Sequence, residues 1–290
     1  MTDLTISYAK KKIAEELAGI YPQREVMSLT RIILSETANL SFSGSISNPG
    51  LVLTNKIWDK INKICHDLKK GIPIQYILGK TEFYGLELLV STATLIPRQE
   101  TEELVDLIIK ENPEEGLDIL DIGTGSGAIA ICMAKFMNRV NVTASDVSEE
   151  ALIIAGENAL KHKCNITFAS DDIFKSSFEN HSNFDIIVSN PPYIRESEKK
   201  LMSPLVTEHE PHKALFVPDS DPLVFYRAIG ILAKKSLKNG AKLYLEINEA
   251  LGKETAWLLE GMGFQQLRIL KDLNNKDRII TAINKDVNQY

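Results

Sequence analysis

The chain has 290 residues, 44% apolar and 25% charged, which excludes a disordered, collagen-like or disulfide-dense polypeptide and fits about two folded domains. Lysine and arginine number 33 against 39 aspartates and glutamates, a net charge of −6, so the surplus of cations that sequence-independent binding to nucleic acid or anionic membrane requires is missing. Cys65, Cys132 and Cys164 lie far apart with no C-x-x-C pair, which excludes a disulfide framework and a zinc ribbon and fits a reducing compartment.

The first twelve residues hold no apolar core for a signal peptide, and no uncharged apolar run reaches the ~18 residues needed to span a bilayer, so a soluble cytoplasmic chain is expected. Helical periodicity comes first. Ile6, Ile13, Leu17 and Ile20 fall on one face, with Lys10, Lys11, Glu15 and Glu16 opposite. A second periodic segment covers 23–40 behind Pro22, the turn-rich 41–50 reads as a loop, and a third helix covers 55–69. These define a helical domain over 1–72. Residues 73–98 read as a hairpin connector, with aromatic and β-prone residues around Gly85. Over 99–290, strands at 117–122, 140–145, 166–169, 184–189, 242–247, 265–270 and 278–283 alternate with helices at 128–137, 149–161, 223–238 and 253–262. Such alternation predicts an α/β domain whose mostly parallel sheet carries helices on both faces. The stretch 194–221 breaks the alternation and is too long for a simple connector, which suggests a lid over a substrate. Trp58 and Trp257 are expected in the core.

Two motifs carry chemistry. Asp121-Ile122-Gly123-Thr124-Gly125-Ser126-Gly127 follows a strand and opens a helix, where glycines let the backbone turn sharply and approach a ligand. Alone, Gly123-x-Gly125-x-x-Ala128 also satisfies a loose dinucleotide fingerprint. Asp146 ends the next strand, at the distance that suits a carboxylate accepting from both hydroxyls of an unphosphorylated ribose. Asp121 would repel a pyrophosphate and suit a cation such as the ammonium of S-adenosylmethionine; its other reading is a cap on the loop backbone. Asp171 and Asp172, before Ile173, follow the third strand, where a carboxylate could accept an adenine amine and Ile173 could pack on the ring, or where they form a solvated acidic turn.

The second motif is Ser189-Asn190-Pro191-Pro192-Tyr193-Ile194, directly after an apolar strand. Ligands of open parallel sheets lie beyond the carboxyl ends of strands, so Asn190 and the Gly123 loop should open on one crevice. An amide nitrogen is a poor nucleophile because its lone pair is delocalised. The Asn190 side-chain oxygen and the Pro191 carbonyl, held rigid by consecutive prolines, could grip its two N–H bonds and favour a pyramidal nitrogen. Pro192 completes the rigid turn, and Tyr193 could pack on a planar amide or base. Asn190 then lies between acceptor nitrogen and methyl donor and touches both ligands.

Taken together, these residues resemble the PrmC/HemK methyltransferases, which modify the glutamine of the Gly-Gly-Gln motif of peptide-chain release factors. The resemblance includes 71–79, Glu82-Phe83-Tyr84-Gly85, Ile96-Pro97-Arg98-Gln99-Glu100-Thr101-Glu102, both motifs above, Glu210-Pro211 with Ala214-Leu215, and Asp277-Arg278. Gln99 stands where the family's block has proline. The resemblance implies a Rossmann-like, seven-stranded class I methyltransferase sheet with a reversed terminal hairpin and S-adenosyl-L-methionine as cofactor. It implies that Asn190, Pro191 and Tyr193 hold the glutamine, that Gly123, Gly125 and Asp146 hold the cofactor, and that the partners are release factors docking on the small N-terminal helical domain of a monomer. Asn-Pro-Pro-Tyr is shared with adenine-specific nucleic-acid methyltransferases, the main alternative; the net charge and the lack of a target-reading domain disfavour it. Asp121 disfavours a nicotinamide-dependent oxidoreductase. Arg98, Glu100 and Glu102 either line the crevice mouth or cap the helix starting there. No metal is expected: His209-Glu210-Pro211-His212 lacks a third ligand, and Pro211 breaks any helix.

Overall fold

A computed structural model describes residues 4–180, 183–202 and 204–285. Contacts divide the chain into a unit of residues up to Leu78 together with Pro204–His209, and a larger unit of the remainder. The first three residues of the N-terminal reading lie outside the described residues. No helix among those described is long and apolar enough to cross a membrane.

In the smaller unit, α1 (Ile6–Leu17), α2 (Gln23–Ala38), α3 (Phe42–Ser47), α4 (Asn55–Lys69) and α5 (Ile74–Leu78) enclose an aliphatic core. Thr5 and Thr54 cap α1 and α4 by accepting from Tyr8 N (3.2 Å) and Ile57 N (3.3 Å). The Tyr21 hydroxyl donates to the Leu68 carbonyl at 2.8 Å, so its polar end is satisfied inside the core. Three expectations differ. Ile20 is exposed, because α1 ends at Leu17 and Gly19 (φ +80°) takes the chain out of helical period. The stretch 41–50 is not all loop: the Ser41 hydroxyl accepts from Gly44 N and starts α3. The division after residue 72 falls short of the one seen here, since α5 places Ile74 in the helical core.

The larger unit begins with a hairpin, β1 (Lys80–Phe83) and β2 (Leu86–Leu89). Its turn residues Tyr84 and Gly85 both have positive φ, 49° and 72°, the conformation that matches strand twist in a two-residue turn. Tyr84 N donates to Glu102 Oε1 at 2.7 Å, and the Tyr84 ring lies edge-on to Phe136, contacts that offset the strain of a non-glycine residue there. Then follow α6 (Gln99–Glu111), β3 (Asp118–Ile122), α7 (Ala128–Phe136), β4 (Asn141–Asp146), α8 (Glu149–His162), β5 (Ile166–Ser170) and β6 (Phe184–Ser189). Next come β7 (Ile194–Arg195), α9 (Pro204–His209), β8 (Phe216–Val217), α10 (Val224–Ser236), β9 (Leu237–Glu246), α11 (Gly252–Gly261), β10 (Phe264–Lys271) and β11 (Asp277–Asn284). Of these, α9 clusters with the smaller unit.

Seven strands form one sheet in the order β10-β11-β9-β6-β3-β4-β5. β11 alone runs opposite to the other six strands, the reversed terminal hairpin expected above. Strand residues alternate between two cores. Ile119, Ile186, Val188 and Tyr244 pack with α6 and α7 on one face, while Leu120, Ile187, Leu243 and Leu245 pack with α10 and α11 on the other. A sheet buried on both faces explains why its strands read as continuous apolar runs. From β3 the chain winds outward through β4 and β5, then returns to β6 on the other side of β3. The switch point, where open α/β sheets bind ligands, therefore lies between β3 and β6.

Two further readings are corrected here. Trp257 is 65% exposed, because α11 buries Gly252, Thr255 and Leu259 and residue 257 lies off that stripe. The stretch 194–221 folds rather than looping freely: β7 pairs in parallel with β8, and Leu215, Phe216 and Val217 are buried.

Candidate active site

Pairing aligns one row of residues across five strands: Ala169, Ser145, Ile122, Ser189 and Leu245. The next residues along the chain are Ser170, Asp146, Gly123, Asn190 and Glu246. With strands ~4.8 Å apart, both motifs and both acids leave the sheet side by side at its carboxyl edge. The Ser189 hydroxyl donates to the Ile122 carbonyl (2.7 Å), tying together the two strand ends at the switch point.

The glycine loop is pinned from below. Gly123 N and Thr124 N both donate to the Ser145 carbonyl, at 2.8 and 2.9 Å. Gly123, Gly125 and Gly127 have φ of +72°, +56° and +82°, which explains glycine at each. They differ in surroundings. A Cβ at Gly123 or Gly125 would meet nothing within 4 Å, so the backbone there is open to a ligand. One at Gly127 would come within 3.2 Å of Ala155 Cβ and 3.1 Å of Ile131 Cδ1, so this glycine serves the approach of α7 to α8. Thr124 and Ser126 are buried within the loop.

Asp146 spreads its carboxylate over the loop: Oδ2 accepts from Gly125 N and Oδ1 from Ser148 N, both at 2.9 Å. Each oxygen retains acceptor capacity for a further donor. Asp172 Oδ1 accepts from Phe174 N (3.1 Å), and Asp171 Oδ1 from Ser177 N (2.8 Å); these acids shape the turn after β5, with Ile173 half-buried beside them.

Asp121 is fully buried on the α7 face of the sheet. Its Oδ2 accepts from Thr124 Oγ1 (2.6 Å) and Ala130 N (3.2 Å), which is the capping reading. Its Oδ1 has no partner among the described residues. Burial pushes this carboxyl up to about 7, against the two hydrogen bonds that pull it down. A buried carboxylate oxygen without a donor beneath an open glycine loop fits a cationic ligand. The donor set thus fits S-adenosylmethionine better than a dinucleotide.

Asn190 is half-buried and Pro191 buried. Asn190 Nδ2 donates to Thr101 Oγ1 at 3.1 Å; Thr101 Oγ1 donates to Glu246 Oε2 at 2.7 Å; and Glu246 Oε1 accepts from the Tyr193 hydroxyl at 2.9 Å. Arg278 Nη1 stands 3.5 Å from that hydroxyl, while its Nε donates to the buried Asp272 (3.1 Å). Burial pushes the Glu246 carboxyl up; hydrogen bonds from Thr101 and Tyr193 and the charge of Arg278 pull it back. Burial, then the neighbouring Glu246 charge, holds the Tyr193 phenol well above its ordinary range, so it stays a donor. Asn248 Nδ2 donates to the Tyr193 carbonyl and to Glu198, fixing the chain as it leaves the motif.

Sequence reasoning did not single out Thr101 or Glu246. Glu246 had a signal, an acid ending an apolar strand just as Asp146 does; Thr101 had only its place in the 96–102 block, to which no role was attached. Arg98 and Glu102 turn out to be structural. Arg98 pairs with buried Glu210, whose Oε2 accepts from Ile96 N at 3.2 Å, and Glu102 holds the hairpin turn. α6 starts at Gln99 despite the missing proline, with Glu100 in its first turn.

Comparison with known proteins identifies the family. The model of the PrmC N-terminal domain matches residues 9–79, and that of the methyltransferase small domain matches 99–212. A release factor glutamine methyltransferase of Flavobacterium psychrophilum is 45% identical over 281 residues, covering 96% of this chain and 98% of its own length. That of Bacteroides thetaiotaomicron is 43% identical over 270 residues, covering 93% and 97%. Among solved structures, a methyltransferase from Pyrococcus furiosus matches 76% of this chain and 99% of its own at a TM-score of 0.54 and 19% identity, a likeness of fold alone. The 16S rRNA N2 G1207 methyltransferase of Thermus thermophilus, solved with AdoMet and guanosine, matches 71% and 50% at a TM-score of 0.50 and 18% identity. With a methyltransferase sheet, a glycine loop over a buried acid that keeps one oxygen unpartnered among the described residues, an Asn-Pro-Pro-Tyr turn beside it, and relatives matched along nearly their whole length, the chain belongs to the PrmC/HemK family of release factor glutamine methyltransferases.

Proposed function

We propose that this crevice methylates the side-chain amide nitrogen of the glutamine in the Gly-Gly-Gln motif of peptide-chain release factors. The observation that carries the reading is the Asn190 amide. Its nitrogen is engaged by Thr101, which leaves Oδ1 as an acceptor beside the glycine loop. Asn190 Oδ1 and the Pro191 carbonyl grip the two N–H bonds of the substrate amide, and the Tyr193 ring, held through its hydroxyl, packs on the amide plane. Bound S-adenosylmethionine supplies an electrophilic methyl on a sulfonium. Asp146 accepts from the ribose hydroxyls, Gly123 and Gly125 admit the backbone-close part of the cofactor, Asp121 balances its cationic end, and Asp172 and Ile173 border the adenine. No residue of the crevice is needed as a strong base, because the acidity of the amide proton rises as the methyl arrives; proximity and orientation can supply up to ~7–11 kcal/mol of barrier reduction in well-organised cases. The N-terminal helical domain serves the docking of the release factor, and the enzyme acts as a cytoplasmic monomer.

The test uses purified protein, radiolabelled S-adenosylmethionine and a release factor, with a parallel reaction on that factor with the Gly-Gly-Gln glutamine replaced. Label is expected on the intact factor only. Label on both factors, or on added DNA or RNA and not on the factor, overturns the reading.

A further inference from the structure

The Asn-Pro-Pro-Tyr turn needs the Asn190 amide the right way round. Offered oxygen first, it grips a substrate N–H; offered nitrogen first, it repels one. Rotation of a side-chain amide by half a turn exchanges the two ends at almost no cost in shape, so packing alone does not choose between them. Something must read the difference between NH₂ and C=O.

We propose that Glu246 and Thr101 are positioning residues, forming a one-way hydrogen-bond relay that sets which end of the Asn190 amide meets the substrate. The relay rests on the proposed methylation of a glutamine amide in this crevice and follows from which groups can donate and which can accept. Both oxygens of Glu246 accept, Oε2 from the Thr101 hydroxyl at 2.7 Å and Oε1 from the Tyr193 hydroxyl, so neither gives a proton to Thr101. With its single proton spent there, Thr101 Oγ1 can only accept. The amide atom 3.1 Å away must then be the nitrogen, Asn190 Nδ2, and Oδ1 is left for the substrate. Glu246 Oε1 meanwhile takes the Tyr193 hydroxyl proton at 2.9 Å, so one carboxylate orients both arms of the motif. Glu246 is 1% exposed and Thr101 4%, so water does not compete for these atoms. Pairing explains how the parts meet: Leu245 lies opposite Ser189, which puts Glu246 and Asn190 level at the sheet edge, and α6 lays Thr101 across them.

A double-mutant cycle tests the relay. Thr101→Val keeps the shape of the side chain and removes the hydroxyl. It should lower kcat for release-factor methylation by about 10- to 100-fold, leaving S-adenosylmethionine affinity within about twofold, as a misoriented reacting group does. Thr101→Ser, which restores the hydroxyl, should recover turnover to within a few-fold of the parent. Because Thr101 acts through Asn190, Thr101→Val should change the residual rate of Asn190→Ala by less than about twofold. If Thr101→Val does not fold, Thr101→Ala takes its place in the cycle. Parent-like kcat in the hydroxyl-free variant, failure of Thr101→Ser to recover, or full additivity with Asn190→Ala each overturns the relay. Undiminished turnover in Asn190→Ala overturns the reading of the crevice itself, whereas loss in Asn190→Ala with none in Thr101→Val overturns the relay alone.

Discussion

At the scale of single residues, Asp121 shows how burial turns a loop-capping acid into a charge-sensitive one. Its carboxyl moves from an ordinary 3.8 to about 7, with burial as the main cause. Between those values the folded chain keeps a proton that the unfolded chain has released. Stability contributed at this site is therefore present below about pH 4 and lost as pH rises toward 7. Asp121→Asn abolishes the ionisation, so its melting temperature relative to the parent should be more favourable at pH 8 than at pH 5. Thermal melts of both proteins without cofactor at the two pH values measure this, and a difference independent of pH refutes the assignment. The sequence showed that an acid precedes the glycine loop; it could not show that one of its oxygens would lie buried without a donor.

At the scale of elements, the loop between β3 and α7 does two jobs with three glycines. Gly127→Ala combines a positive φ with a Cβ pressed against Ala155 and Ile131, and it should cost about 1–3 kcal/mol of stability by parting α7 from α8. Gly125→Ala has the same backbone strain but open space, so it should cost about 1 kcal/mol and act chiefly on cofactor binding. Denaturant melts and cofactor titrations on the two variants separate the roles; equal stability losses would show that packing does not distinguish them. Elements were largely legible in the sequence, because apolar period and caps act over a few residues. Among the exceptions, α3 and Ile20 were decided by a local cap and by the end of a helix, and Trp257 by which stripe of α11 the core covers.

For the molecule as a whole, long-range polar contacts join segments far apart in the chain. Glu210, 1% exposed at its side chain, joins the stretch after β7 to the segment before α6 through Arg98 and Ile96 N. Removing one member of such a pair leaves a buried group unpaired, so Glu210→Ala should destabilise the fold by about 3 kcal/mol, less whatever water recovers at the partly exposed Arg98. Chemical denaturation reads this directly; a change below about 0.5 kcal/mol would place the pair among surface contacts. The run His209-Glu210-Pro211-His212 has the residue types of a metal site but no third ligand in the sequence. In the fold its acid belongs to this ion pair.

The sequence by itself determined most of the elements, the glycine loop with Asp121 and Asp146, and the Asn190-Pro191-Pro192-Tyr193 turn, because each is a short stretch whose residue types carry their own chemistry. Only the tertiary structure decided that Asn190, Thr101, Glu246 and Tyr193 form one hydrogen-bonded set. Thr101 lies 89 residues from Asn190 and 145 from Glu246 along the chain. What unites them is strand register: Ile122, Ser189 and Leu245 stand level, so the residues after them emerge together. Register is set by which apolar faces must be buried across the whole sheet, a property no local window of sequence contains.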